Sequence, residues 1–192
     1  MNHRILYLLA AIFVSLSSQA HESPIDHIDR LIKVWIEKDG LHISYQMHLS
    51  ERQALLQLRA VDTDKNGQIN GTEKATYFKS HGEKVASYLV LTLGKKRLPI
   101  TLAEPVLLRA NFSQRYHFVA PMDFKAGQTD LLLTDNYSHL YPGSCRIKAD
   151  SLVSNSFLKA SFAKETEKMR GHGGIIMIKL QVLVKAEKEP RQ

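Results

Sequence analysis

Residues 30–49 read RLIKVWIEKDGLHISYQMHL, and Ser50 follows. In the first half Ile32, Val34 and Ile36 fall on alternate positions. In the second half Leu41, Ile43, Tyr45, Met47 and Leu49 alternate with His42, Ser44, Gln46 and His48. Successive side chains of a strand point to opposite faces, so each run offers one apolar face and one polar face. Asp39-Gly40 between them predicts a hairpin. At Ser50 the period changes. Ser50 and Gln53 have the spacing of a capping box, and Ala54, Leu55, Leu58 and Val61 recur at helical intervals.

Downstream of the next loop, residues 72–89 predict a second helix, with Gly82 a weak point in it. Strand patterns then return. YLVLTL from Tyr88 and RLPITL from Arg97 flank a Gly94 turn, and further runs lie at 106–110, 114–120, 129–134, 145–149 and 175–186. Pro121, Gly127, Asp135-Asn136 and Pro142-Gly143 punctuate them. Eight or nine short strands predict a mainly β fold, an antiparallel β-sandwich interrupted after its second strand by a helix–loop–helix at about 50–88.

The chain has 192 residues, 44% hydrophobic and 23% charged, which suits one domain with a packed core. Residues 1–20, MNHRILYLLAAIFVSLSSQA, carry Arg4, an apolar run from Ile5 to Leu16, and small residues at Ser18 and Ala20. That is the pattern of a secretory signal cleaved after Ala20, so residues 21–192 form the mature domain in the periplasm or outside the cell. The run is short for a span of roughly 20 apolar residues. A second run, IIMIKLQVLV at 175–184, is shorter still and contains Lys179, so no transmembrane segment is expected in the mature chain. With Cys145 alone, no intramolecular disulfide can form. The net charge of +7 is mild and a secreted chain meets little nucleic acid, so nucleic acid is not an expected partner.

The loop between the two helices reads DTDKNGQINGTE from Asp62 to Glu73. Asp62, Asp64, Asn66, Gln68, Asn70 and Glu73 stand at positions 1, 3, 5, 7, 9 and 12, with Gly67 at position 6 and Ile69 at position 8. Calcium takes six to eight oxygens. Asp62, Asp64 and Asn66 offer side-chain oxygens, Gln68 its main-chain carbonyl, Asn70 a direct or water-mediated contact, and Glu73 both carboxylate oxygens. Residues 50–88 therefore resemble an EF-hand, and Ca2+ is the expected cofactor. Three carboxylates with Lys65 inside the loop argue for moderate affinity, and nothing Met-rich marks the groove a sensor would open, so a structural ion is expected. No second loop repeats the spacing.

Other candidates are weaker. His21, as a new N-terminus, would offer an amine and an imidazole to copper, nickel or cobalt, and His27 could complete such a site. His42 and His48 share the polar side of one strand but stand six residues apart. Cys145 reads as a buried thiol, with His139 nearby in sequence. No GxSxG, HxH, HExxH, CxxC or phosphate-binding glycine loop is present, so no enzyme is expected.

Taken together, Ala20-His21, the strand ending MHLS, the loop DTDKNGQINGTE, Tyr77-Phe78, YLVLTLGKKRLPITL and LLLTDNYSHLYPG give a wider likeness. Residues 20–150 are similar to the extracytoplasmic N-terminal domain of bacterial nickel/cobalt efflux-type transporters. This chain lacks their membrane helices, so transport does not carry over. The resemblance implies a free-standing accessory or binding module, with an envelope or membrane-transport protein as its partner.

Overall fold

The computed structural model describes residues 27–37, 39–109, 113–125, 127–149, 158–162, 167–170 and 175–186. The expected signal and His21 lie outside these residues. Strands β1 (Asp29–Glu37) and β2 (Gly40–His48) open the fold. Helices α1 (Glu51–Val61) and α2 (Gly71–Tyr88) follow. Then come β3 (Leu89–Leu93), β4 (Lys96–Leu98), β5 (Thr101–Arg109), β6 (Ser113–Pro121) and β7 (Gly127–Asp135). The short helix α3 (Tyr137–Leu140), β8 (Cys145–Ala149), β9 (Leu158–Phe162), β10 (Glu167–Arg170) and β11 (Ile176–Ala186) complete the order.

The strands form two sheets. One runs β5-β6-β2-β1-β8, and the other runs β10-β11-β7-β3-β4 with β9 also paired to β11. Alternation decides which face each strand buries. Ile32, Val34 and Ile36 of β1, Leu41, Ile43, Tyr45 and Met47 of β2, and Tyr116, Phe118 and Ala120 of β6 share a hydrophobic cluster with Leu89, Leu91, Leu131, Leu133, Ile178, Leu180 and Val182 of the second sheet. Ala54, Phe78, Val85 and Ala86 add the helices to the same cluster, and Leu49 joins it from the link before α1.

Four sequence expectations need correction in detail. Glu37 pairs with Gly40, so the hairpin link is 38–39 and Gly40 already belongs to β2. One pairing is parallel rather than antiparallel: β8 lies alongside β1, with Arg30 opposite Cys145 and Val34 opposite Ala149. The chain reaches that edge through α3 and is fastened there by Ile28 N–H to the Pro142 carbonyl and Arg30 N–H to the Ser144 carbonyl. Gly82 does not interrupt α2, which runs unbroken past it. It is buried, and an added Cβ would stand 2.8 Å from Tyr116 Cδ1 and 2.9 Å from Leu102 Cδ2. Glycine lets the helix lie close against the first sheet. Finally, Leu55 of α1 faces solvent at 54% exposure while Gln53, Ala54 and Val61 take the buried face.

A buried charge joins the two sheets, a feature absent from any local sequence pattern. Arg30 Nε on β1 lies 3.4 Å from Asp135 Oδ2 on β7, with both side chains fully buried. Arg30 Nε donates to Tyr45 Oη at 2.7 Å, and Tyr45 Oη donates to Asp135 Oδ2 at 2.8 Å. The guanidinium also donates to the Ile28 and Tyr137 carbonyls, and Asp135 Oδ1 accepts from Ser138 N–H. Every partner is supplied, as a buried ion pair requires.

Candidate metal sites

The 62–73 loop is built between two capped helices. Ser50 Oγ accepts from Gln53 N–H, and Gln53 Oε1 accepts from Ser50 N–H, which completes the capping box of α1. At the other end Asn70 Oδ1 accepts from Glu73 N–H, and Glu73 Oε2 accepts from Asn70 N–H, a second reciprocal box at the start of α2. The same Glu73 also reaches back across the loop. Its Oε1 accepts from Thr63 N–H at 2.9 Å and from Thr63 Oγ1 at 3.0 Å. One carboxylate thus ties the exit of α1 to the entry of α2. These amide and hydroxyl donors, the Asn70 amide foremost, hold the Glu73 carboxyl below its ordinary range.

The aspartates fold back onto the loop's own amides. Asp62 Oδ1 accepts from Asn66 N–H at 3.1 Å and its Oδ2 from Gly67 N–H at 2.9 Å. Asp64 Oδ1 accepts from Asn66 N–H at 3.1 Å. Such close wrapping needs a left-handed turn, found at Lys65 with φ 59° and Gly67 with φ 79°. Carboxylate oxygens of Asp62, Asp64 and Glu73 come within 4.8 Å of one another.

The other expected ligands are placed less directly. The Asn66 side chain donates to Asp64 Oδ2 and its Oδ1 accepts from Gln68 N–H. Asn70 Oδ1 is engaged in capping α2. Gln68 is exposed and Ile69 half-buried. Three hard carboxylates, with amide oxygens on the same loop, form an all-oxygen donor set that fits calcium better than a softer ion. His27 is exposed, and Cys145 is a buried thiol at 7% exposure.

The chain matches no protein-family model and no curated protein sequence.

A second group escaped the sequence reading. His42 has His117, from β6, as its neighbour, with Nδ1 2.8 Å from His117 Nε2. Trp35 stacks on both rings, at centroid distances of 5.4 Å and 5.2 Å. His42 Nε2 faces Asp39 Oδ1 at 2.8 Å and Glu37 Oε2 at 3.8 Å. The signal that could have found it is the alternation itself. It sends Trp35, His42 and His117 to the faces opposite the apolar residues, and the register sets Trp35 directly opposite His42.

Proposed function

We propose that this protein is an extracytoplasmic calcium-binding module whose helix–loop–helix after β2 is an EF-hand. The observation that carries the reading is the convergence of Asp62, Asp64 and Glu73 between two capped helices, at the spacing of a twelve-residue calcium loop. Calcium here is structural. Glu73 already bridges the two ends of the loop by hydrogen bonds, so an ion strengthens an existing closure rather than opening a new surface. The bracing reaches the first sheet through α2, whose Gly82 sits against Tyr116 and Leu102.

Among the described residues no helix is long and apolar enough to cross a membrane. The module acts as a non-enzymatic accessory or binding protein, with an envelope or membrane-transport protein as its partner. A calcium titration of the chelator-treated protein tests the central part. One ion per chain is expected, with binding lost in Glu73→Gln. Equal binding by that variant would remove the loop from consideration.

A further inference from the structure

The outer face of the first sheet carries a nitrogen-containing donor set at the β1–β2 turn. Its geometry is suited to an ion of a different kind from calcium. His42, Asp39 and Glu37 each offer a ligand atom within 4.8 Å of the others'. A four-coordinate ion with donors at about 2.0–2.2 Å sets those donors roughly 3.3–3.6 Å apart. The observed separations from His42 Nε2, 2.8 Å and 3.8 Å, bracket that value. Small rotations of two exposed carboxylates close the difference.

The supports behind these three groups are also in place. Trp35 Nε1 donates to Glu37 Oε1 at 2.6 Å, which leaves Oε2 directed toward His42. His42 Nδ1 faces His117 Nε2, so an ion that displaces the proton Nε2 shares with Asp39 can shift the ring to the tautomer in which Nδ1 donates to the second ring and Nε2 bonds the metal. His42 is itself 4% exposed, clamped under Trp35, whereas the side chains of Glu37 and Asp39 are 53% and 63% exposed. An anchored imidazole with two carboxylates at the surface leaves a coordination position open to water.

We propose that Glu37, Asp39 and His42 bind a first-row divalent transition ion, with Trp35 and His117 as positioning residues. Imidazole in the donor set favours zinc, nickel or copper over calcium and magnesium, whereas the 62–73 loop offers only oxygen. The two sites flank opposite ends of β2. His42 lies near the turn, and His48, roughly 20 Å further along the strand, lies near α1.

Trp35 is the only tryptophan, so its fluorescence reports on this site alone. Zinc is titrated into the full chain held in excess calcium, followed by calorimetry and by Trp35 emission. A saturable one-to-one event that changes the emission is expected. The double variant Glu37→Gln, Asp39→Asn alters exposed side chains and should weaken zinc binding by at least about 100-fold. His117→Gln should weaken it by roughly 10–100-fold, the usual effect of losing a group that orients a metal-bound imidazole. No binding up to about 1 mM zinc would overturn the proposal, as would unchanged affinity in the double variant or binding that leaves Trp35 emission unmoved.

Discussion

Arg30 and Asp135 meet 3.4 Å apart, fully buried, one from each sheet. Removing one member of such a pair strands the other as a buried charge. Asp135→Ala should therefore cost roughly 3–5 kcal/mol in denaturant unfolding. Tyr45→Phe removes the hydroxyl that accepts from Arg30 and donates to Asp135, and should cost about 1–3 kcal/mol. Changes under about 0.5 kcal/mol in both variants would show that this network does not hold the sheets together.

Gly82 offers a test with two opposing terms. Alanine is the better helix former by about 1 kcal/mol. Its Cβ, however, would press on Tyr116 and Leu102 at 2.8–2.9 Å, and overpacking costs about 1–3 kcal/mol. Packing should win, so Gly82→Ala should lower the unfolding midpoint. A rise would mean that α2 does not lie this close to the sheet.

His81 should make the protein sensitive to mild acid. Burial lowers its pKa from 6.5 to about 4, and Lys84 adds to the effect. Its Nδ1 lies 2.6 Å from Tyr116 Oη, and Tyr116 Oη in turn donates to Gln114 Oε1. Tyr137 Oη lies 3.3 Å from His81 Nε2, so the neutral ring satisfies both partners. Between pH 4 and 6.5 the unfolded chain binds the extra proton and the folded chain does not. Stability therefore rises with pH in that window and is lost as pH falls, by roughly 3 kcal/mol at most. Equilibrium unfolding across the window checks this, and His81→Gln should flatten the slope.

Gly67 should be required by backbone shape alone. Its φ is 79°, yet nothing lies within 4 Å of an added Cβ. Gly67→Ala should cost about 1–2 kcal/mol in the calcium-free protein, with no clash involved, and should weaken the calcium response. An unchanged midpoint would show that the loop adopts another turn.

How much of this was legible depended on the range of the interaction. The β1–β2 hairpin followed from alternation over residues 32–49, though not the position of its link, and the Ser50–Gln53 capping box from its four-residue spacing, because those signals are local; the Asn70–Glu73 box was not read. The two-sheet organisation followed in outline from the series of strand patterns. The parallel β1–β8 pairing did not, because Arg30 and Cys145 stand over a hundred residues apart and nothing in either strand specifies its neighbour. Gly82 was misread for a similar reason: helix propensity sees its own helix and not Tyr116 above it. His42 was compared with His48 on its own strand, while its actual neighbour, His117, lay on β6. The clustering of Asp62, Asp64 and Glu73 was readable because all three stand within twelve consecutive residues.

The central claim is that calcium braces the loop, and thermal unfolding of the chelator-treated protein tests it most directly. Glu73→Gln is a suitable companion variant because glutamine can still complete the capping box at Asn70 while losing the closing charge. With a dissociation constant of about 10⁻⁴–10⁻³ M, addition of about 10 mM calcium stabilises by roughly 1.4–2.7 kcal/mol. For a domain of this size that corresponds to a rise of about 3–10 °C. The expected result is such a rise with calcium, none with equal magnesium, and none in Glu73→Gln. A midpoint unmoved by calcium, or a rise retained in full by Glu73→Gln, would contradict the calcium site.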